Sequence, residues 1–278
     1  MIKDLAKQFL NSDNSEKKAI LKQVKNYLSN SDELLSLSAN LILKTFRLSY
    51  FCGVNSSSKI EKGKKKNIDT IILYLSASKN AGFDICKFAS DFCRKVCLVE
   101  SGRASMEKHD GNIHVSRLVK TWIVQFAPKI AEKLILSDID RAIKRGKEFV
   151  VRLNGTSDLD WSNIIKKRPS VQFYDYTKKP MQSKFKNHHI TFSFSGSNIS
   201  QVFKMLNKDI NTAIAIVASD FKKALKLPNT YNGDETDLRS YDKQKGKLCL
   251  LKIKGNKVKK NPFIMDYSEV KKIALSIG

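Results

Sequence analysis

No stretch of the chain approaches the roughly 18 consecutive apolar residues that a membrane-spanning helix needs. The start, MIKDLAKQFLNSD, lacks the basic-then-apolar layout of a signal peptide. These two absences lead us to expect a cytoplasmic protein with no membrane partner. Cysteine is scarce and odd in number, at five residues. Without an export signal, that count argues against a disulfide framework and for thiols or metal ligands. Acidic side chains are outnumbered too, 27 against 51 Lys and Arg, leaving a formal net charge of +24. A field of that sign concentrates polyanions and makes DNA or RNA a candidate partner. A lysine-rich surface that serves solubility is the simpler alternative, because charge alone supplies only the salt-dependent, sequence-independent part of binding. No internal repeat stands out.

What is present is an ordinary globular balance, 41% hydrophobic and 28% charged. At 278 residues the chain can bury one substantial core. Residues 1–48 read as helical. Leu5, Phe9 and Leu10 share a stripe; Ile20, Leu21, Val24 and Leu28 follow at helical intervals; Asp32 is placed to cap a third helix over Glu33–Phe46. The stretch Asn55–Asn67 is too polar to build a core. The expected organisation is therefore a helical segment over 1–54, a polar basic linker or loop over 55–68, and an α/β core over 69–278.

From residue 70 strand-like and helix-like runs alternate. Strands are expected at Thr70–Leu75, Glu148–Leu153, Val171–Tyr176, Ile190–Phe194, Thr212–Val217 and Lys247–Ile253. Helices are expected at Phe92–Ser101, across Ile113–Arg145, and near Asn163–Lys167, Ile199–Asn207 and Phe221–Leu225. Repeated β–α units imply an α/β fold with a mostly parallel sheet, as a partial or irregular β/α barrel or an open wound sheet. Nearly every expected strand runs into a polar cluster at its C-terminal end, the side on which parallel α/β proteins bind ligands. Ser78, Lys79, Asn154, Ser195 and Asn198 are the candidates for holding a cofactor. Asp158, Asp175 and Lys178 are the candidates for catalysis. Singly, each cluster is better explained by turns and helix caps; five in register favour a site.

Cys86, Cys93 and Cys97 form C-x6-C-x3-C just after the first strand of the core. A helix from Phe92 would put Cys93 and Cys97 on one face, with Cys86 folding back as a third ligand. Lys79, Arg94 and Lys95 are near in sequence and would favour thiolates. The spacing is neither the C-x3-C-x2-C of radical S-adenosylmethionine enzymes nor the paired C-x2-C of a zinc ribbon. Zinc would require a fourth ligand, for which His109, His114 and Cys249 are available. An iron–sulfur cluster, [4Fe–4S] in type, would leave one iron open to a substrate or cofactor. Buried cysteines acting as small hydrophobes are the remaining alternative. Cys52 and Cys249 are read as packing.

The blocks LSASKNAGFDICKFASDFCRKVCLVESGR, VVRLNGTSDLDW, VQFYDYTKKP, ITFSFSGSN and NGDETDLR resemble, over roughly residues 70–255, a bacteriophage and prophage family labelled gene product 88-like. That resemblance implies a phage-encoded protein, with the three cysteines and the NGTSD, FYDYTK and DETDLR blocks in the family's core pattern. It implies no reaction. In layout alone, cysteines after the first strand below converging polar strand ends look like radical S-adenosylmethionine proteins. Three functions follow as expectations. The first is an iron–sulfur enzyme using S-adenosylmethionine. The second is a zinc- or cluster-stabilised nucleic-acid-binding protein, with Trp161, Tyr174 and Tyr176 as stacking surfaces. The third is a Mg²⁺-dependent hydrolase built on Asp158 with Asp160, or on Asp234, Glu235 and Asp237.

Overall fold

A computed structural model describes residues 1–55, 67–95, 97, 107–253 and 261–277. The chain starts with helices α1 (Ile2–Asn11) and α2 (Asn14–Ser29). Asp13 caps α2, accepting from the Ser15 and Glu16 amides while Glu16 reaches back to the Asp13 amide. The single helix expected over Glu33–Phe46 is divided. A 3-10 turn, Asp32–Ser36, ends at extended Leu37, and α3 (Ala39–Thr45) starts afresh with Ser38 as its cap. Ser36 explains part of this break: its hydroxyl bonds the Glu33 carbonyl and competes with helical propagation.

The sheet begins with β1 (Gly53–Val54), antiparallel to β2 (Asp69–Ile72). Beyond β2 come a short helix α4 (Asp91–Lys95) and then α5 (Asn112–Phe126) and α6 (Pro128–Arg145). Sequence periodicity reads 113–145 as one helical region, but it is two helices. Pro128 cannot donate a helical N–H, and it drives Ala127 out of the α region, to φ −134° and ψ 60°. Then follow β3 (Phe149–Arg152), α7 (Ser162–Lys167), β4 (Phe173–Thr177), β5 (His188–Ser193), α8 (Ile199–Leu206), β6 (Thr212–Ile216), α9 (Phe221–Ala224), β7 (Thr230–Asn232), β8 (Leu248–Lys252), β9 (Ile264–Met265) and α10 (Tyr267–Ser276). The short strands β1, β7 and β9 and the helix α10 are not foreshadowed by periodicity. The expected helix beyond Lys95 and most of the expected linker fall outside the described residues.

The strand order is β1-β2-β3-β4-β5-β6-β8-β7, with β9 alongside the end of β6. Every pairing except β1–β2 is parallel. From β2 to β6 each strand is laid beside its predecessor in the same direction. Right-handed crossovers then place all the connecting helices on one face. The packing agrees. Alternate side chains Ile71, Val151 and Phe173 join α1, α2, α5 and α6 in one core; Phe192, Ile214 and Leu250 join α8 and α10 in a second. The opposite face carries Val150, Tyr174 and Leu238 in a small cluster, where the 233–242 segment crosses the strands. Among the described residues no pairing joins β1 to β7, so the described strands do not form a closed barrel. Among them, no helix is long and apolar enough to cross a membrane.

Candidate functional site

The parallel strands all point their C-terminal ends the same way, and the segment after β2 folds over those ends. Its entry is bolted to α5: the Ser76 amide donates to Thr121 Oγ1 at 2.8 Å, and Trp122 Nε1 donates to the Ala81 carbonyl at 3.1 Å. Ser78 takes a left-handed conformation, φ 55°, which turns the chain back. Arg94 closes the loop. Its guanidinium donates to Ser78 Oγ (2.5 Å), to Asp84 Oδ2 (2.8 Å) and to the Cys86 carbonyl (3.2 Å), so α4 is held against the turn that bears Cys86. The hydrogen bonds from Arg94 hold the Asp84 carboxyl below its usual range.

Strand ends of β3, β4 and β5 receive this loop. The Asp158 amide donates to the Ile85 carbonyl, and Cys86 Sγ lies 3.8 Å from the Thr156 carbonyl. Ser90 Oγ bonds the Ser195 carbonyl, and its oxygen also accepts from the Cys93 amide at 3.1 Å. All three cysteines are half-buried. Burial pushes the Cys86 thiol up to about 11, although Lys178 opposes the shift; Cys97 lies close enough to add to it. The expectation that neighbouring cations favour a thiolate therefore fails for Cys86. Arg94 is committed to Asp84, and desolvation outweighs Lys178. Among the described residues no three His, Cys, Asp or Glu side chains are grouped to hold a metal ion.

The other candidate residues divide by what they already bond. Asn154 is buried, and its Oδ1 accepts from Ser157 Oγ, the Leu159 amide and Trp161 Nε1, while Nδ2 donates to the Leu159 carbonyl. Its amide is a loop fastener with little capacity left. Asp175 is buried and accepts from the Asn154 amide at 2.7 Å and from His188 Nε2 at 3.2 Å. Asp158 takes Thr177 Oγ1 at 2.7 Å and the Lys178 amide at 2.9 Å, locking the end of β4. Asn198 Oδ1 accepts from the Ser195 amide and its Nδ2 donates to the Ser193 carbonyl. Lys79 is exposed, and the Lys178 charge lies within electrostatic range of Cys86.

The carboxylates considered for Mg²⁺ point to different work. Asp160 accepts from the Ser162 amide and hydroxyl at the start of α7, and Asp234 accepts from the Lys252 amide. Glu235 is exposed. Asp237 is buried on the opposite face, beneath the 233–242 segment, where Arg152, Tyr174 and Tyr176 surround it. Tyr174 and Tyr176 thus point into a polar network, not outward as stacking surfaces. Sequence reading missed that network, the Arg94–Asp84 clamp and the double tie between Thr156 Oγ1 and the backbone of Leu75. Each joins side chains that only the folded loops bring together.

A family model described as Gene product 88 matches residues 51–265. The chain belongs to the Gene product 88 family. This phage gene-product family thus takes in the whole sheet, all three clustered cysteines and the strand-end loops, with α1–α3 and α10 outside the match. No curated protein and no solved structure matches.

Proposed function

We propose that this member of the Gene product 88 family is an iron–sulfur protein whose cysteine loop carries the cluster over the C-terminal ends of the parallel strands. One observation carries the reading: the Arg94 clamp folds the loop bearing Cys86, Cys93 and Cys97 onto the sheet end where β/α proteins bind ligands. The donor set suits the group in kind, being three thiols on one loop. It is not drawn together, and a thiol as reluctant to ionise as Cys86 would become a thiolate on binding a metal, its proton released to solvent. Loading therefore has to pull the three sulfurs inward. A cluster so held has one iron free for a ligand, and S-adenosylmethionine is the cofactor class this layout suits.

In this reading the chain's own residues position rather than react. Arg94 and Asp84 set the loop, Asp158 fixes the β4 end, and the Lys178 ammonium biases Cys86 toward its anion. The +24 charge supports a polyanionic substrate such as DNA or RNA.

Anaerobic purification with iron, sulfide and zinc analysis tests the reading. Iron with sulfide and broad absorbance near ~400 nm, lost in Cys93→Ala, is the expected result. About one zinc per chain would make the loop a structural site and favour nucleic-acid binding without catalysis. No metal after reconstitution would overturn the proposal. Nucleic-acid affinity is expected to fall steeply with salt; weak binding at low salt would remove the polyanion from the reading.

A further inference from the structure

At its first edge the sheet reaches one strand beyond the helix layer, and the difference leaves a cavity. Val54 stands directly opposite Ile71 in the antiparallel β1–β2 pair, so the two side chains share the helix face. Ile71 is 1% exposed in the core it shares with α6, whereas Val54 is 44% exposed. Between β1 and α6 lies a space of about 300 Å³. Tyr50, Val54 and Ile71 line its strand side, and Arg141, Ala142 and Arg145 line it from α6. Tyr50 is 49% exposed and Arg145 is exposed, so the space opens to solvent past both. Apolar walls with a few convergent polar groups are the ordinary form of a small-molecule site, and this volume is at the lower end of the usual range.

The charges in the lining do not cancel. Asp138, also in the wall, is already spent: Oδ2 accepts from the Cys52 amide at 2.8 Å and Oδ1 from Arg141 Nη1 at 3.0 Å. It offsets Arg141 alone. Arg145, four residues on, makes no ion pair among the described residues. Like charges at that spacing on a helix repel, and an anion between them would relieve the repulsion. The flat surface is Tyr50, whose ring is steadied by Lys120 Nζ at 4.2 Å from its centroid. We propose that this cavity binds a small organic anion, a planar ring bearing one phosphate or carboxylate group. The ring would lie against Tyr50 and Val54, and the anionic group would sit on Arg145 with Arg141 beside it. A guanidinium presents paired donors that suit either oxyanion. The site is separate from the cysteine loop and stands whether or not that loop carries a cluster.

Isothermal titration of the full chain tests this, with adenosine monophosphate and benzoate as probes. An ionic strength of about 0.15 M screens the general attraction of a basic protein for anions. At least one probe should bind with a Kd below about 1 mM. Binding of the nucleotide alone assigns the group as phosphate, and binding of benzoate alone assigns it as carboxylate. Inorganic phosphate and acetate, which lack the ring, should bind at least roughly 10-fold more weakly than their ring-bearing counterparts. In Arg145→Gln the affinity should fall roughly 10- to 100-fold. Ala142→Leu keeps a good helix former on α6 and fills the cavity, so it should abolish binding. No binding of either probe by wild type overturns the inference. So does an undiminished affinity in either variant, because the ligand would then sit elsewhere, and so does ringless-anion binding as tight as that of the probes. If Ala142→Leu does not fold, Arg145→Gln, at an exposed position, keeps the test decisive.

Discussion

Arg152 Nη1 and Asp237 Oδ2 meet at 2.6 Å on the face of the sheet crossed by the 233–242 segment, with Asp237 2% exposed. The two lie 85 residues apart in the chain. Burial works against the Arg152 charge, but Asp237 together with the neighbouring tyrosines more than restores it, and the net shift is upward. The carboxylate also accepts from Tyr174 Oη at 3.2 Å and Tyr176 Oη at 3.3 Å. Burial, then Asp237, pushes both phenols well above their ordinary range, so they stay protonated as donors. This arrangement ties the 233–242 crossing segment to β3 and β4. The neighbouring Arg239 secures the same segment through the Gly233 and Thr236 carbonyls, with Asp242 3.2 Å away.

Replacing Asp237 by Asn should leave the buried Arg152 charge uncompensated. The expected loss is about 3–5 kcal/mol of unfolding free energy. Urea denaturation measures it directly; a change within about 0.5 kcal/mol, as at an ordinary surface position, would contradict the assigned burial. A double replacement, Arg152→Met with Asp237→Leu, should recover part of the loss, because it removes both charges together.

His189 should make stability depend on acid pH. Burial, then the Arg239 charge, lowers its pKa to about 4 from an ordinary 6.5. The folded chain therefore binds the proton less readily than the unfolded chain. Stability from this group is complete above about pH 6.5 and declines as pH falls toward 4. The slope is at most about 1.4 kcal/mol per pH unit, reduced by whatever solvent reaches the ring. Melting curves between those limits should flatten in His189→Gln; an unchanged profile would assign the acid sensitivity to other groups.

Gly155 should resist a methyl group. A Cβ there would stand 2.5 Å from the Leu73 carbonyl oxygen and 2.9 Å from Tyr74 Cδ1. The contact is with backbone, so the NGTSD loop has to shift bodily away from β2, breaking the 3.1 Å bond from the Gly155 amide to that carbonyl. Gly155→Ala is expected to cost about 1–3 kcal/mol. The loop also carries Thr156, whose carbonyl faces Cys86, so the variant should load metal less well than wild type in the same reconstitution. Normal stability with normal loading would show that the loop tolerates displacement.

The sequence by itself determined the architecture and the face. Alternation of β-rich runs with helical periods locates β2, β3, β4, β5, β6 and β8 to within a few residues, because these strands are buried on one or both sides and must be apolar. It also locates the C-x6-C-x3-C segment and the polar strand ends, since turn chemistry is local. Strands of two or three residues, such as β1, β7 and β9, carry too few side chains to display a period. The split at Pro128 was readable in principle from the proline alone, yet the apolar stripe runs through it.

Only the tertiary structure decided what the polar residues do. Asn154 and Asp158 have the composition of ligand-binding residues, and their hydrogen bonds instead go to the loops beside them. Arg117 looks like any surface arginine on a helix until β2 puts Tyr74 beneath it and the fold leaves its Nη1 without a partner. Pairings such as Arg152 with Asp237 depend on which strands become neighbours and which segment crosses them. Hydrophobic patterning is a property of consecutive residues and survives in the sequence. Charge partnership is a property of distance and burial, and those exist only once the chain has folded.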